Sequence, residues 1–316
     1  MLANITQVRA APTIHWMEGF AAWLHENDRS QNTISAYLQD LRHFGKFFEQ
    51  VNHSIFTPDQ LNATDVKAYF RQQDDHLQVA VNSRNRRLAS LRVMVEWAVK
   101  MGILDYDPTV SIQRKAVELM PRDRSDDEMA RLETVVRDGS HIRCAGKGHA
   151  WLALRDQVIW WSFVHTGLRI NEVAGLNVSS LDFTANKITV IGKGNKKATI
   201  SVPSAFMIML ASWLDLRPAA AGDALITSWE GERLSTHQIR ERIQMIGRAA
   251  GVHDIKPHDI RHWYAYQLKD RLIEQGISEE KALDGVRKQM RHGDVKTTLR
   301  YFRVRESQIR AAVEAM

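Results

Sequence analysis

Thr166-Gly167-Leu168-Arg169-Ile170-Asn171-Glu172-Val173 follows an apolar run that ends in Trp160, Trp161 and Phe163. Gly167 permits a sharp turn. Arg169 then opens the next helix with its guanidinium within reach of a phosphate near that helix's positive end. Glu172, three residues on, is placed to orient it. Alone, an arginine opening a helix beside a glutamate is more often a surface ion pair, so its meaning depends on three stretches downstream. Ile191-Gly192-Lys193-Gly194-Asn195-Lys196-Lys197 sets Lys193 between glycines. It is no P-loop, because Gly194 follows Lys193 and position 187 is Lys rather than Gly. In Lys256-Pro257-His258-Asp259-Ile260-Arg261-His262, Pro257 suits the start of a helix, and the i to i+3 spacing puts His258 and Arg261 on one face. Met290-Arg291-His292-Gly293-Asp294-Val295-Lys296-Thr297-Thr298-Leu299-Arg300-Tyr301 adds an imidazole and a tyrosine. If the fold gathers Arg169, Lys193, His258, Arg261, His292 and Tyr301, they form one phosphoryl-transfer site that needs no metal.

At 316 residues the chain is too long for most single cores and suits two domains. Its 44% hydrophobic and 25% charged content is that of a soluble globular protein. No apolar stretch approaches the ~18 residues that span a bilayer, and Met1 to Ala11 has no apolar signal core, so a cytoplasmic protein is expected. The single cysteine, Cys144, excludes a disulfide framework and a cysteine-based zinc cluster, and no metal or cofactor is expected. The formal charge of +6 favours a polyanionic partner. Residues 1–112 carry 11 Lys+Arg against 12 Asp+Glu, and residues 113–316 carry 32 against 25, so the excess lies in the second part. The neutral first part still packs Arg84, Arg86, Arg87 and Arg92 into nine positions with no acid among them. Such a stripe can hold a DNA backbone; a solvated helix face is the alternative.

The apolar periodicity from Thr13 to about Ile112 is helical. Trp16, Phe20, Trp23 and Leu24 mark a first helix. Ile34, Tyr37, Leu38, Leu41, Phe44, Phe47 and Phe48 mark a second, capped by Ser30 or Asn32. Val66, Tyr69 and Phe70 mark a third after a Thr64-Asp65 cap. A fourth is expected over Ser83 to Lys100, burying Leu88, Leu91, Val95 and Val99 with the arginines largely on its other faces. Gln113 to Arg124 is weakly patterned and reads as a linker. Beyond it, helices are expected at Asp126–Val136, Leu152–Val164, Ser204–Leu216, His237–Ala250, Pro257–Gln275, Glu279–Met290 and Glu306–Ala315. Lys187–Ile191 and Ala198–Val202 are short β-prone runs around a hairpin turn at Gly192 to Asn195.

Taken in order, the four chemical stretches resemble the motifs of the tyrosine recombinases, the family of phage and transposon integrases and of Cre- and Xer-type enzymes. Thr166–Val173 looks like the family's first arginine motif, Lys193 like its hairpin lysine, and Lys256–His262 like its His-x-x-Arg box. In the last block a histidine precedes the nucleophilic tyrosine by nine residues, as His292 precedes Tyr301. Upstream, Thr33-Ile34 with Tyr37 and Phe44, and Asn85-Arg86-Arg87-Leu88 through Leu91-Arg92 to Trp97 and Gly102, are similar to its helical core-binding domain. The resemblance covers nearly the whole chain.

That resemblance implies a mainly α fold with a small β-hairpin (α+β): a SAM-like core-binding (DNA-binding) bundle at 12–112, a linker at 113–124 and a catalytic domain at 125–316. It implies a site-specific recombinase in which Tyr301 attacks the scissile phosphate to give a 3′-phosphotyrosyl link, with two strand exchanges through a Holliday junction. Arg169 and Arg261 would clamp the non-bridging oxygens, helped by His292; Lys193 would protonate the leaving 5′-oxygen, and His258 would transfer the proton of Tyr301. Arg84, Arg86, Arg87 and Arg92 would contact double-stranded DNA, and four protomers would sit on two sites without metal, ATP or membrane. The segment after Tyr301, with Val304, Ile309, Ala312 and Val313 at near-helical spacing, would dock on a neighbour or pack on its own domain. Tyr264 and Tyr266 match no family position and read as packing residues. Two departures stand out: about eight extra residues near Ile277 to Gly285, expected to be peripheral, and Met290-Arg291-His292 where the family usually has Leu-Gly-His. A type IB topoisomerase and a catalytically silent regulator of the same fold are the alternatives.

Overall fold

The computed structural model describes residues 12–75, 77, 79–116, 124–143, 146–192, 197–291, 295–302 and 313–314. The chain divides into two compact units, Met1–Met120 and Pro121–Met316.

In the first unit, α1 (Pro12–Glu26), α2 (Gln31–Asn52), α3 (Ala63–Asp75) and α4 (Val81–Lys100) enclose an aromatic core. Ser30 caps α2, its hydroxyl accepting the Thr33 N–H at 3.3 Å. The cap of α3 is Asn62 rather than Thr64-Asp65: its Oδ1 accepts the N–H groups of Thr64 and Asp65 at 2.9 and 3.0 Å. Phe44 meets the rings of Phe56 and Tyr69 edge-on, each at 5.0 Å between centroids, and such pairs contribute roughly 0.5–1.5 kcal/mol beyond their burial. On α4 the buried stripe runs through Leu88, Leu91, Met94, Val95 and Ala98, which leaves Val99 exposed against expectation. Gly102 ends the helix in the left-handed region (φ 68°).

The expected linker is tied down at both ends. Lys115 exchanges two hydrogen bonds with Asn85 and pairs with Asp74 at 2.9 Å, within the first unit. Arg124 pairs with Asp259 and Glu128 in the second. Residues 117–123 lie outside the described residues.

The second unit is built around α6 (Lys147–Val164), which buries Val158, Ile159, Trp160, Trp161 and Phe163 on several faces, as a helix surrounded by others does. Around it lie α5 (Asp126–Asp138), α7 (Ile170–Ala174), α8 (Ser204–Leu216), α9 (Thr236–Ala249) and α10 (Pro257–Glu274). An antiparallel sheet, ordered β1 (Leu181–Asp182), β2 (Lys187–Ile191), β3 (Lys197–Ser201), sends Ile188, Val190 and Ile200 into the same core. β1 was not expected; two residues are too few to show alternation. α11 (Glu279–Met290) takes in most of the extra residues near Ile277 to Gly285, of which Ala282 alone is buried. Ala282, Val286 and Met290 recur every four positions and are buried, the latter two in a small cluster with Ala265, Tyr266 and Tyr301.

Asp156 on α6 braces three elements. It is fully buried, with His141 Nε2 at 3.0 Å, Arg155 Nη2 at 3.0 Å and Arg242 Nε of α9 at 2.9 Å. Burial alone would push its carboxyl up, but the hydrogen bond with His141 and the charges of Arg155 and Arg242 hold it below its usual range. Asp156→Ala strands two guanidiniums in the interior and is expected to cost about 3–5 kcal/mol, measured by urea denaturation.

Candidate active site

Gly167 makes the turn between α6 and α7. Its φ of 59° suits glycine, and a Cβ there would lie 2.4 Å from Tyr264 Cδ1 and 2.9 Å from Met290 Sδ. Thr166 braces the turn by donating to Ser162 O and accepting the Leu168 N–H at 3.1 Å. Arg169 follows as the extended N-cap of α7, as its place in the sequence predicts. Glu172 accepts both its backbone N–H, at 2.7 Å, and its Nη1, at 3.2 Å. Burial would raise the Glu172 carboxyl; the charge of Arg291, then the N–H and charge of Arg169, hold it below 4.5.

Pro257 opens α10, and Asp259 closes its first turn by accepting the Lys256 N–H at 3.1 Å. One turn further in, Arg261 is only 1% exposed. It donates to the Gly167 carbonyl and, through Nη2, to that of Met290. Burial, then the neighbouring charges of Arg169 and Arg291, lower its pKa to about 9, which leaves it charged at neutral pH. The end of α11 completes the frame. Arg291 caps that helix in the left-handed region (φ 52°), pairs through Nη2 with Glu172 at 2.7 Å, and offers its carbonyl to Arg169 Nη2 at 3.4 Å. A non-glycine residue held there carries strain of order 1 kcal/mol.

After α12 (Val295–Leu299), the 3₁₀ turn Arg300–Phe302 brings Tyr301 against α10. The phenol is 1% exposed, edge-on to Tyr266, with its hydroxyl 2.8 Å from Nδ1 of His262. Proximity to Tyr301 also bears on the charge of Arg261. His258, one turn before His262 on α10, is exposed, with its ring edge-on to that of His262 at 4.2 Å. His262 is the residue that sequence reasoning missed. Its signal was the i to i+4 spacing from His258, which puts both imidazoles on one face.

The structure therefore gathers Arg169, Glu172, Arg261 and Tyr301, with His258 next to His262. Lys193, at the tip between β2 and β3, and His292, directly after Arg291, lie outside the described residues, as does most of the segment after Tyr301. Tyr264 and Tyr266 pack: Tyr264 accepts a hydrogen bond from Gln289 at 3.1 Å and flanks the small cluster to which Tyr266 belongs.

In the first unit the arginine stripe divides. Arg84 points inward, 6% exposed, bound to Asp74 at 2.9 Å and to the Gln113 carbonyl at 3.0 Å, with its guanidinium over Phe70. Arg86 is exposed and bridges to Asp40, while Arg87 and Arg92 are half-buried and donate to Gln73 and to the Ile112 carbonyl.

Residues 145–308 match the phage integrase family, and residues 17–102 match the N-terminal SAM-like domain of phage integrases. The tyrosine recombinase XerC of Mycobacterium tuberculosis (strain CDC 1551 / Oshkosh) is 30% identical over 293 residues, covering 90% of this chain and 92% of that protein. XerC of Staphylococcus aureus (strain MSSA476) is 28% identical over 303 residues, covering 94% of each. Among solved structures, the XerH site-specific recombinase bound to difH substrate in a pre-cleavage complex has a TM-score of 0.69 at 15% identity, covering 97% of both chains. A lambda integrase tetramer bound to a Holliday junction has a TM-score of 0.63 at 17% identity, covering 92% of this chain and 80% of that one. Those two share the fold, a SAM-like helical domain followed by a largely helical domain with a small antiparallel sheet. With a family match over half its length and relatives aligned along nine-tenths of it, the chain belongs to the phage integrase family.

Proposed function

We propose that this protein is a site-specific DNA recombinase that cuts and rejoins DNA through a 3′-phosphotyrosyl link at Tyr301. The observation that carries it is the meeting of a buried guanidinium, Arg261, a half-exposed one, Arg169, and a phenol bonded to an imidazole. In the proposed reaction the Tyr301 oxygen bonds to phosphorus, the bond to the 5′-oxygen breaks, and that oxygen leaves with a proton. Arg169 and Arg261 hold the non-bridging oxygens, where charge builds in the transition state. Lys193 is the proposed donor to the leaving oxygen, and His292 a further donor to the phosphate. The phosphotyrosyl link keeps the energy of the broken bond, so rejoining needs no ATP, and the guanidiniums supply the positive charge a metal would.

The proton of Tyr301 passes to His262 in this proposal, because the hydroxyl already lies 2.8 Å from its Nδ1. His258, exposed beside it, carries the proton on to solvent. His262→Ala and His262→Asn are both expected to slow adduct formation by about 10²–10⁴-fold. Single-turnover rates across pH check this, since Asn at wild-type rate would leave His262 a mere hydrogen-bond partner.

The relatives are named as recombinases, and lambda integrase is seen as a tetramer on a Holliday junction. Their likeness supports four protomers at a Holliday junction, with the strands exchanged in two sequential steps. Arg86, Arg87 and Arg92 remain the proposed DNA contacts in the first unit, and Arg84 shapes their helix from within. The test is incubation with nicked DNA followed by denaturing electrophoresis, which should reveal a covalent adduct. Joining of two site-bearing duplexes is expected; relaxation of any plasmid instead would mark a topoisomerase, and no adduct a silent DNA-binding protein.

A further inference from the structure

Arg291 occupies a place where the backbone favours glycine. Its φ of 52° is one that L side chains rarely adopt, so a long charged residue there calls for an account. Its side chain is not spread in solvent: it is 12% exposed, with Nη2 on Glu172 at 2.7 Å and Nη1 on the Gln289 carbonyl at 3.0 Å. Nε–H is buried and has no hydrogen-bond partner among the described residues. Arg291 precedes Arg169 among the charges that depress the Glu172 carboxyl, so the glutamate's principal counter-ion is Arg291, and Arg169 stays half-exposed. Two guanidiniums pair with the one carboxylate and a third, that of Arg261, lies within reach of their charges, for a formal surplus of two positive charges. A phosphodiester brings one negative charge, and the trigonal-bipyramidal transition state of its cleavage two. The surplus matches the transition state rather than the resting diester.

We propose that Arg291 is a third phosphate-binding arginine of this site, donating its unpartnered Nε–H to a non-bridging oxygen of the scissile phosphate while sharing Glu172 with Arg169. This rests on the recombinase reading above and deepens it. The variant is Arg291→Gly, which the turn accommodates without strain; Arg291→Asn, whose short side chain tolerates left-handed backbone, serves if glycine loosens the turn.

The substrate is a nicked duplex bearing a site selected from random DNA by adduct formation with the wild-type protein. It is compared with the same duplex carrying a methylphosphonate, which lacks one charged oxygen, at the scissile position. The variant is expected to stay folded and to bind the duplex, yet to form adduct about 10²–10³-fold more slowly on the diester. On the methylphosphonate, where less negative charge develops, the deficit should shrink to about tenfold or less. A variant within about threefold of wild type on the diester, or equally slowed on both substrates, overturns the inference. Wild type that forms no Tyr301-dependent adduct on any selected DNA overturns the recombinase reading itself, a separate outcome.

Discussion

Tyr301→Phe forms no covalent adduct with nicked DNA and remains folded: that is the expected result with the largest effect. The ring is what the fold uses. It fills a cluster with Ala265, Tyr266, Val286 and Met290, and phenylalanine fills the same space. The hydroxyl is what the proposed chemistry uses, and it lies 2.8 Å from Nδ1 of His262. Losing it removes a buried hydrogen bond, for about 1–3 kcal/mol, which thermal melting would register as a modest shift. Tyr266→Phe and Tyr264→Phe are the controls, since both rings pack in or against the same cluster. An adduct formed by Tyr301→Phe would move the nucleophile elsewhere and undo the proposed site.

Arg261→Met is expected to slow adduct formation by at least 10²–10³-fold, the usual loss on removing one transition-state donor, with little change in stability. The guanidinium is almost fully buried beside two other arginines, and burial with those charges pulls its pKa down to about 9. Keeping it charged there costs the fold energy that a methionine would not. Against that gain, the carbonyls of Gly167 and Met290 lose their donor. The terms oppose each other, and Glu172 keeps both Arg169 and Arg291, so no charge is orphaned. Stability within about 2 kcal/mol of wild type by urea denaturation is expected. A variant that unfolds outright would make Arg261 a structural residue first.

Much of the fold was legible because local signals agreed. Ser204–Leu216 and Glu279–Met290 have the expected bounds, one beginning after Pro203 and the other after Ser278. Arg169 and the α10 turn carrying His258 and Arg261 stand where their spacing put them. What escaped was tertiary. Nothing local separates Arg84, buried over Phe70, from the more open Arg86, because the difference lies in Asp74 and Gln113, distant in sequence. The spacing within α11 marks Ala282, Val286 and Met290 as one face, but what that face meets is decided by α10. His262 was hidden by His258, since a pattern match names the first imidazole and only packing says which of the two meets a phenol.

The cluster around Tyr301 is separate from the large core under α6. Small satellite clusters open locally at free energies well below that of global unfolding. In the proposed reaction a phenol that is 1% exposed reaches a phosphate only while its cluster is open, so the cleavage rate would scale with the fraction of time spent there. An opening free energy of a few kcal/mol makes that fraction roughly 0.1–10%. Amide hydrogen exchange of α11 and the Arg300–Phe302 turn would then run ahead of exchange in α6, and its rate would report how often the phenol becomes accessible.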